Sequence, residues 1–337
     1  MKGQQLTLLL LSMCWSMAVR GQLYYFSNAD STLIGVRNAQ GDTIIAPAFP
    51  LYGFHPVDSI TEATIEFNVL PFGMDYDFSK PAIPMGAVYD RMGKFLYYPQ
   101  FFDNGPDYWQ EGLRRYAENG KIGFADRLGN KVTPPGWEFA EPFNYGYAKV
   151  YDGKLKKVTL AGGEHWTIAP KEDRDTLRFH LIDRNGQLVH PLPSQQSAKD
   201  YLFESKYYPY PFSYSAEEQS IVDSVNRIQA LSLIHGLPYV PYKANRKLQF
   251  ELTEHPNLYF PYYVLAGFDN QRLIDNFSVL VHQHTKAIYI IGWQYSDKPK
   301  PLHKWILNEL EQGLRIERLD DSVIKRIREE VTKYKGS

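Results

Sequence analysis

Two histidines stand two residues apart, His282 and His284. On a strand that spacing puts both rings on one side, as a metal site needs. His255 or Glu254 could supply a third ligand. A lone His-x-His carries little information, however, so the preferred reading is a solvent-facing pair at a hairpin turn, and no metal is assigned. Asp90, Asp126 and Asp183 recur, and a glycosidase would want two carboxylates facing one bond. Each of them sits where a tight turn needs an acceptor, so a structural role is preferred. Each is followed by an arginine (Arg91, Arg127, Arg184), and such pairs could line one edge with weak surface ion pairs. No serine lies in a Gly-x-Ser-x-Gly elbow. Ala161-Gly162-Gly163 lacks the lysine and the following helix of a phosphate loop. Lys154, Lys156 and Lys157 read as a solvated turn face. No basic stripe with interleaved rings appears, so nucleic acid is not expected as a partner. No catalytic residue and no cofactor are assigned.

Rings are the remaining candidates. The chain carries 25 Tyr and 19 Phe, and aromatics make up 15 % of it. They crowd one stretch, where Tyr97, Tyr98, Tyr108 and Trp109 are candidate binding residues. Tyr and Trp pair apolar area with a polar tip, which suits interfaces and sugar stacking. Core packing of a β-rich domain competes with that reading.

The elements that would position these residues come from a phrase said four times. It reads Ile34 to Gly41, Val88 to Gly93, Ile122 to Gly129 and Leu181 to Gly186, and a proline follows each copy (Pro47, Pro99, Pro135, Pro191). In copy three, Lys121 to Ala125 alternates as a strand, Asp126-Arg127-Leu128-Gly129 turns, and Asn130 to Thr133 returns. The turn positions Asn38 and Gly41, Asp90 and Gly93, Asp126 and Gly129, and Asp183 and Gly186 are therefore structural. Phe143 to Tyr151 alternates again and closes at Asp152-Gly153. Glu111 to Tyr116 runs through Asn119-Gly120 directly into copy three, so the end of one unit starts the next. That layout predicts one continuous antiparallel hairpin meander.

The pattern resembles the WG (or KWG) repeat family, whose phrase is approximately G-K-W-G-F-I-D-x-x-G-x-x-V-I-P-P-x-Y followed by F-x-x-G-x-A-x-V. Gly120-Lys121-Ile122-Gly123-Phe124-Ala125-Asp126, Pro134-Pro135, Phe143, Gly146, Ala148 and Val150 match it, across residues 111–154. Copies one and four match less well. The eponymous Trp is Ile34 in copy one and Ile122 in copy three. Copy two has Ala87 at the first glycine, and copy four has His180. Unequal spacing of Gly41, Gly93, Gly129 and Gly186 means that copies one and three carry insertions. The resemblance implies a repeat scaffold, not a reaction.

The later half reads differently. Residues 201–214 are crowded with aromatics and prolines, which suits a docked connector rather than a solvated linker. Ser215 with Glu218 is a capping box. Ile221, Val222, Val225, Ile228 and Leu231 follow at helical spacing, to an end at Gly236 and Pro238. Strands are expected over Lys247–Leu252, Tyr259–Phe268, Phe277–Gln283 and Ala287–Trp293, then helices near Leu302–Glu311 and Ser322–Lys333. The closing hairpin, Asn276 to His282 with Lys286 to Ile291, is similar in shape to PepSY or cystatin-like modules. The fold class expected is a mainly β N-terminal repeat array followed by an α+β C-terminal domain.

Composition sets the outer bounds. The chain has 337 residues, 44 % hydrophobic and 22 % charged, with a net charge of −1. It can bury a sizeable core, and no polyanion partner is implied. Met1-Lys2, the apolar run Leu6 to Met17 and the small residues before Gln22 read as an export signal over residues 1–21. The only cysteine, Cys14, falls inside it, so cleavage leaves no thiol. The domains expected are this signal, a repeat domain over 22–195 and an α+β domain over 196–337. The function expected is an exported, non-catalytic binding or scaffold protein, periplasmic, outer-membrane-associated or secreted, with a protein or envelope partner and no membrane span after cleavage. A carbohydrate-binding or carbohydrate-active envelope protein is one alternative. A peptidase-inhibitor-like C-terminal module is another.

Overall fold

The structure is a computed structural model that describes residues 21–51, 59–102, 105–159, 166–168, 177–238, 248–291, 298–317 and 319–336. Of the expected export signal only Gly21 falls among them, and Cys14 and Ala161-Gly162-Gly163 lie outside. The chain forms two compact units. The first holds Met1–Tyr108, Leu113–Pro142 and Lys149–His180, and the second Trp109–Gly112, Phe143–Ala148 and Leu181–Ser337.

In the first unit, β1 (Leu23–Ser27), β2 (Leu33–Asn38), β3 (Thr43–Pro50) and β4 (Ser59–Ile60) form an antiparallel sheet in the order β3-β2-β1-β4. A second sheet begins with β5 (Thr64–Phe67), β6 (Ala87–Asp90) and β7 (Phe95–Pro99). The chain leaves it through the short pair β8 (Phe101–Phe102) and β9 (Gly105–Pro106). It returns as β10 (Leu113–Glu118), β11 (Lys121–Asp126) and β12 (Lys131–Trp137), in the order β12-β11-β10-β7-β6-β5. Strand alternation puts Ile34, Val36, Phe49, Ile65, Phe67 and Ala87 into one shared core between these sheets. Phe49 stacks on Phe67 with centroids 3.7 Å apart. Farther along, β13 (Phe139–Ala140) pairs with β14 (Ala148–Asp152), β15 (Lys157–Thr159) with β16 (Trp166–Ile168), and β17 (Arg178–Ile182) with β18 (Leu188–Val189).

All four expected turns are present and share one geometry. In each, the N–H of the glycine donates to the carbonyl of the first turn residue: Gly41 to Asn38, Gly93 to Asp90, Gly129 to Asp126 and Gly186 to Asp183, at 2.9–3.1 Å. The Oδ1 of that first residue accepts two further backbone N–H groups. For Asp126 these come from Leu128 and Asn130, both at 2.9 Å. For Asp90 they come from Met92 and Lys94, and for Asp183 from Asn185 and Gln187. Asn38 does the same with its amide oxygen. The glycines have φ of 93°, 82°, 87° and 78°, the left-handed conformation that a three-residue hairpin loop with a glycine bulge requires.

The first glycine of the phrase answers a different need. A Cβ on Gly123 would stand 2.6 Å from the Tyr116 ring and 2.7 Å from the Thr133 carbonyl. The β11–β12 ladder shifts register at this point, a bulge that lets the two backbones close in.

The four hairpins do not lie in one continuous sheet, as the meander reading expected. Copy one belongs to the first sheet, copies two and three share the six-stranded one, and β17–β18 lies outside both. The cause is local. Asn119 (φ 53°) and Gly120 (φ 73°) form a two-residue turn that carries β10 straight into β11. After copy one, β4 instead pairs with β1, at the opposite edge from β3.

The second unit is α+β. After β18, which belongs to it, come β19 (Tyr201–Phe203) and β20 (Lys206–Tyr208), which pair, and then α1 (Ala216–Asn226) and α2 (Gln229–Gly236). A sheet of β21 (Leu248–Glu254), β22 (Tyr262–Asp269), β23 (Arg272–His282), β24 (Ile288–Ile291) and β25 (Lys300–Pro301) follows in sequential order. Helices α3 (Leu302–Gly313) and α4 (Asp321–Lys335) complete it. Phe250, Leu252, Leu265, Val279, Val281 and Ile290 bury one sheet face against the helices. Ala266 and Phe268 on the other face pack with Tyr145, Tyr147, Tyr201, Tyr208 and Phe212, so the aromatic connector is docked.

The capping box is formed: Ser215 Oγ accepts from the N–H of Glu218, and Glu218 Oε2 accepts from the N–H of Ser215 at 2.8 Å. The single helix expected after it is two helices, with a break at Arg227–Ile228. The Asn226 amide explains the break. It donates to the Val222 and Phe250 carbonyls and accepts from the Phe250 N–H, which ties the end of α1 to β21.

Candidate functional site

In the first unit a pocket of about 310 Å³ opens on the six-stranded sheet. Its walls come from four segments. Lys80, Ala82 and Pro84 precede β6, Phe95, Tyr97 and Tyr98 lie on β7, Ala117 to Gly120 close β10, and Lys131 opens β12. Small side chains make the space: Ala82, Ala117 and Gly120 carry nothing that could fill it. Phe95 is 40 % exposed, while Tyr97 is 2 % exposed and forms part of the core. Phe95 and Tyr98 lie 4.5 Å apart at 47°, and the Tyr98 hydroxyl reaches the Met74 sulfur at 3.6 Å.

Charge is arranged around these rings. Lys131 Nζ is 2.7 Å from Glu118 Oε2 and 5.1 Å from the Tyr116 ring centroid. The Lys80 stem crosses Gly120, with its Cδ 4.0 Å from where a Cβ would stand. Burial pushes the Tyr97 hydroxyl up to about 12, against the opposing pull of Arg114, whose Nε donates to it at 3.2 Å. Tyr98 and Tyr116 are raised too, chiefly by burial.

Two buried arginines support the sheet behind the pocket. Arg114 and Arg115 are neighbours on β10, so their side chains leave by opposite faces. Arg114 Nη1 donates to Glu66 Oε2 at 3.0 Å, and its Nη2 stands 2.8 Å from Oε1 as an ion pair. Arg115 makes a two-pronged pair with Asp107, donates to the Ala140 carbonyl at 2.8 Å, and lies over Phe102. The fork geometry of Arg115 offsets the desolvation of both charges of its pair with Asp107.

The other candidates settle as follows. Tyr97 and Tyr98 both line the pocket, whereas Tyr108 and Trp109 do not. Tyr108 packs edge-on against Phe102 at 4.8 Å. His282 Nδ1 accepts from the N–H groups of His284 and Thr285, so that nitrogen serves the β23–β24 turn. His255 is 2.8 Å from Glu218 Oε1 at the start of α1. Among the described residues, no group of three His, Cys, Asp or Glu stands close enough to hold a metal. The Asp90, Asp126 and Asp183 carboxylates each serve their own turn. The arginines after Asp90 and Asp183 do not line an edge with surface pairs. Arg91 donates to the carbonyls of Gly21, Ile60 and Glu62. Arg184 donates to the carbonyls of Glu111 and Thr253 and to the Glu111 carboxylate. Both act as clips on neighbouring backbone. Desolvation raises the fully buried Glu111 carboxyl, and Arg184 opposes that.

Sequence reasoning missed Lys80, Phe95, Glu118 and Lys131 as site residues. Strand alternation assigns Phe95, Glu118 and Lys131 a face and Lys80 lies in the turn region before β6, but nothing local says that these positions meet.

Copy three joins its parts in one run: a strand with the close-approach glycine, the Asp-x-x-Gly turn, the return strand, and then Tyr145-Gly146 (φ 52° and 75°) leading into β14. Residues 122–155 are a WG containing repeat. Lys131 belongs to this WG repeat and Gly120 lies just before it, so the pocket sits at the junction where copy two runs into the WG repeat. No curated protein and no solved structure matches the chain. No helix among the described residues is long and apolar enough to cross a membrane.

Proposed function

We propose that this WG repeat-containing chain is an exported, non-catalytic binding protein that uses the exposed face of its six-stranded sheet. The observation that carries the reading is the pocket itself. Consecutive repeats supply partly exposed rings and charged side chains around a space of about 310 Å³, at the lower end of what small-ligand sites enclose. Phe72, Met74, Phe78 and Phe102 extend the exposed apolar surface of the same unit, at 78 %, 43 %, 60 % and 39 %. The role would be exercised in the periplasm, at the outer membrane or outside the cell, against a protein or envelope component.

The test compares the wild type with Phe95→Ala, immobilised over native envelope extract. Loss of a retained component, with an unchanged melting temperature, is expected. Equal retention by both would remove this face from the account. A sugar ligand is the second reading, favoured by the tilted Phe95–Tyr98 pair, because sugar rings stack on such surfaces. A glycan array separates it from a protein partner.

A further inference from the structure

In the second unit a pocket of about 450 Å³ opens between α2, α3 and β23. That lies within the range of about 300–1,000 Å³ that small-ligand sites enclose. A bulge shapes it. Phe268 pairs with Leu273 and Ala266 with Ser278, so the single residue Gly267 of β22 stands opposite residues 274–277 of β23. A Cβ on Gly267 would crowd the Phe277 carbonyl oxygen at 3.1 Å, so a bare backbone makes room for the bulge. Ile274 and Phe277 are three positions apart, and a regular strand would send them to opposite faces. Both line the pocket, because the bulge re-aims the strand between them. On the helix side, Leu237 packs where Gly313 of α3 has no side chain; a Cβ there would stand 2.6 Å from Leu237 Cδ1.

We infer that this pocket binds an organic ammonium ion carried on an apolar body of about one ring. Trp305 and Phe277 meet edge to face, with centroids 5.8 Å apart at 72°, and the His235 ring lies 6.0 Å from Phe277. Trp305 and Glu309 are one turn apart on one face of α3, and both line the pocket. Glu309 is half-buried. Its Oε1 accepts from the Asn308 amide at 3.3 Å, and among the described residues it has no cationic partner. His235 is held by Asp269 at 3.3 Å, so the charge argument rests on Glu309 alone. An indole face beside a carboxylate attracts a cation through the ring quadrupole and the charge together, and an anion meets both as repulsion. Ile234, Ile274 and Ile316 offer apolar surface to the rest of the ligand. The inference belongs to the second unit and does not rest on the pocket of the first.

Binding is measured by ligand-observed NMR and calorimetry on the purified chain near neutral pH. Phenethylamine, cationic under those conditions, is set against neutral phenethyl alcohol and anionic hydrocinnamate. Benzyltrimethylammonium tests a quaternary head. The expected order of affinity is ammonium, then alcohol, then carboxylate. Glu309→Gln should weaken the ammonium probes about three- to tenfold and leave the alcohol unchanged. Trp305→Leu keeps apolar bulk and removes the ring, so it should weaken the ammonium probes more than the alcohol. Melting temperatures check that each variant folds, and Glu309→Gln decides the matter if Trp305→Leu does not. Preference for the quaternary probe names a methylated amine as the source, and preference for phenethylamine a primary one. Alcohol or carboxylate binding as tightly as the ammonium, ammonium affinity unchanged in Glu309→Gln, or no binding of any probe would overturn the inference.

Discussion

Gly129 shows how one residue sets the shape of a repeat. Its φ of 87° is left-handed, and a Cβ there would run into the Leu96 side chain and come within 3.1 Å of Thr64 Cγ2. A β-branched residue meets both penalties, since it resists positive φ and has no free direction. Gly129→Val should therefore lower stability by about 2–3 kcal/mol, read as a shift of the urea midpoint. An unchanged midpoint would dismiss the turn assignment. Asp107 makes a sharper case. Its side chain is 2 % exposed, and it is the carboxylate partner of the buried Arg115. Asp107→Ala would strand that guanidinium with only the Ala140 carbonyl and Phe102, at a cost of about 3–5 kcal/mol. A loss below about 1 kcal/mol in the same melts would mean that water reaches Arg115 freely.

At the scale of elements, α1 owes its start to the Ser215–Glu218 box. Hydrogen bonds from Ser215, with His255 assisting, hold the Glu218 carboxyl below its ordinary range. A depressed folded pKa adds stability above the ordinary carboxylate range and loses it as pH falls through the depressed value. Ser215→Ala should cost about 1 kcal/mol near neutral pH and less in acid. A loss that is the same at both pH values would contradict the box. The break between α1 and α2 belongs to this scale too. Helical spacing continues unbroken from Ile221 to Leu231, so periodicity alone predicts one helix. Only the contact of Asn226 with β21, 24 residues ahead, ends it early.

Across the whole molecule, buried tyrosines set the alkaline limit. Burial raises Tyr97 and Tyr145 to about 12, and Tyr116, Tyr147, Tyr210 and Tyr214 are raised further. The unfolded chain releases these protons near pH 10, earlier than the folded one. It then binds fewer protons, and stability falls as pH rises through that window. The melting temperature should drop as pH rises from about 10 through about 12, and the tyrosinate absorbance of the buried rings should appear only with unfolding. Complete tyrosinate formation while the fold persists would show that these hydroxyls reach solvent.

What could be read without coordinates is what the chain settles within a few neighbours. The four Asp- or Asn-led turns close over four residues each, and the capping box spans three, so both were legible. The α+β character of the later half followed from periodicity, because burial on one face repeats along an element. The distribution of the copies over separate sheets was not legible, nor were the clips made by Arg91 and Arg184. Arg114 finds Glu66 across 48 positions, and the pocket draws on four segments between Lys80 and Lys131. Hydrogen bonds that close a turn cost little chain entropy and are specified on the spot. Contacts between distant strands depend on which edges pair, and that is decided by packing the entire core at once.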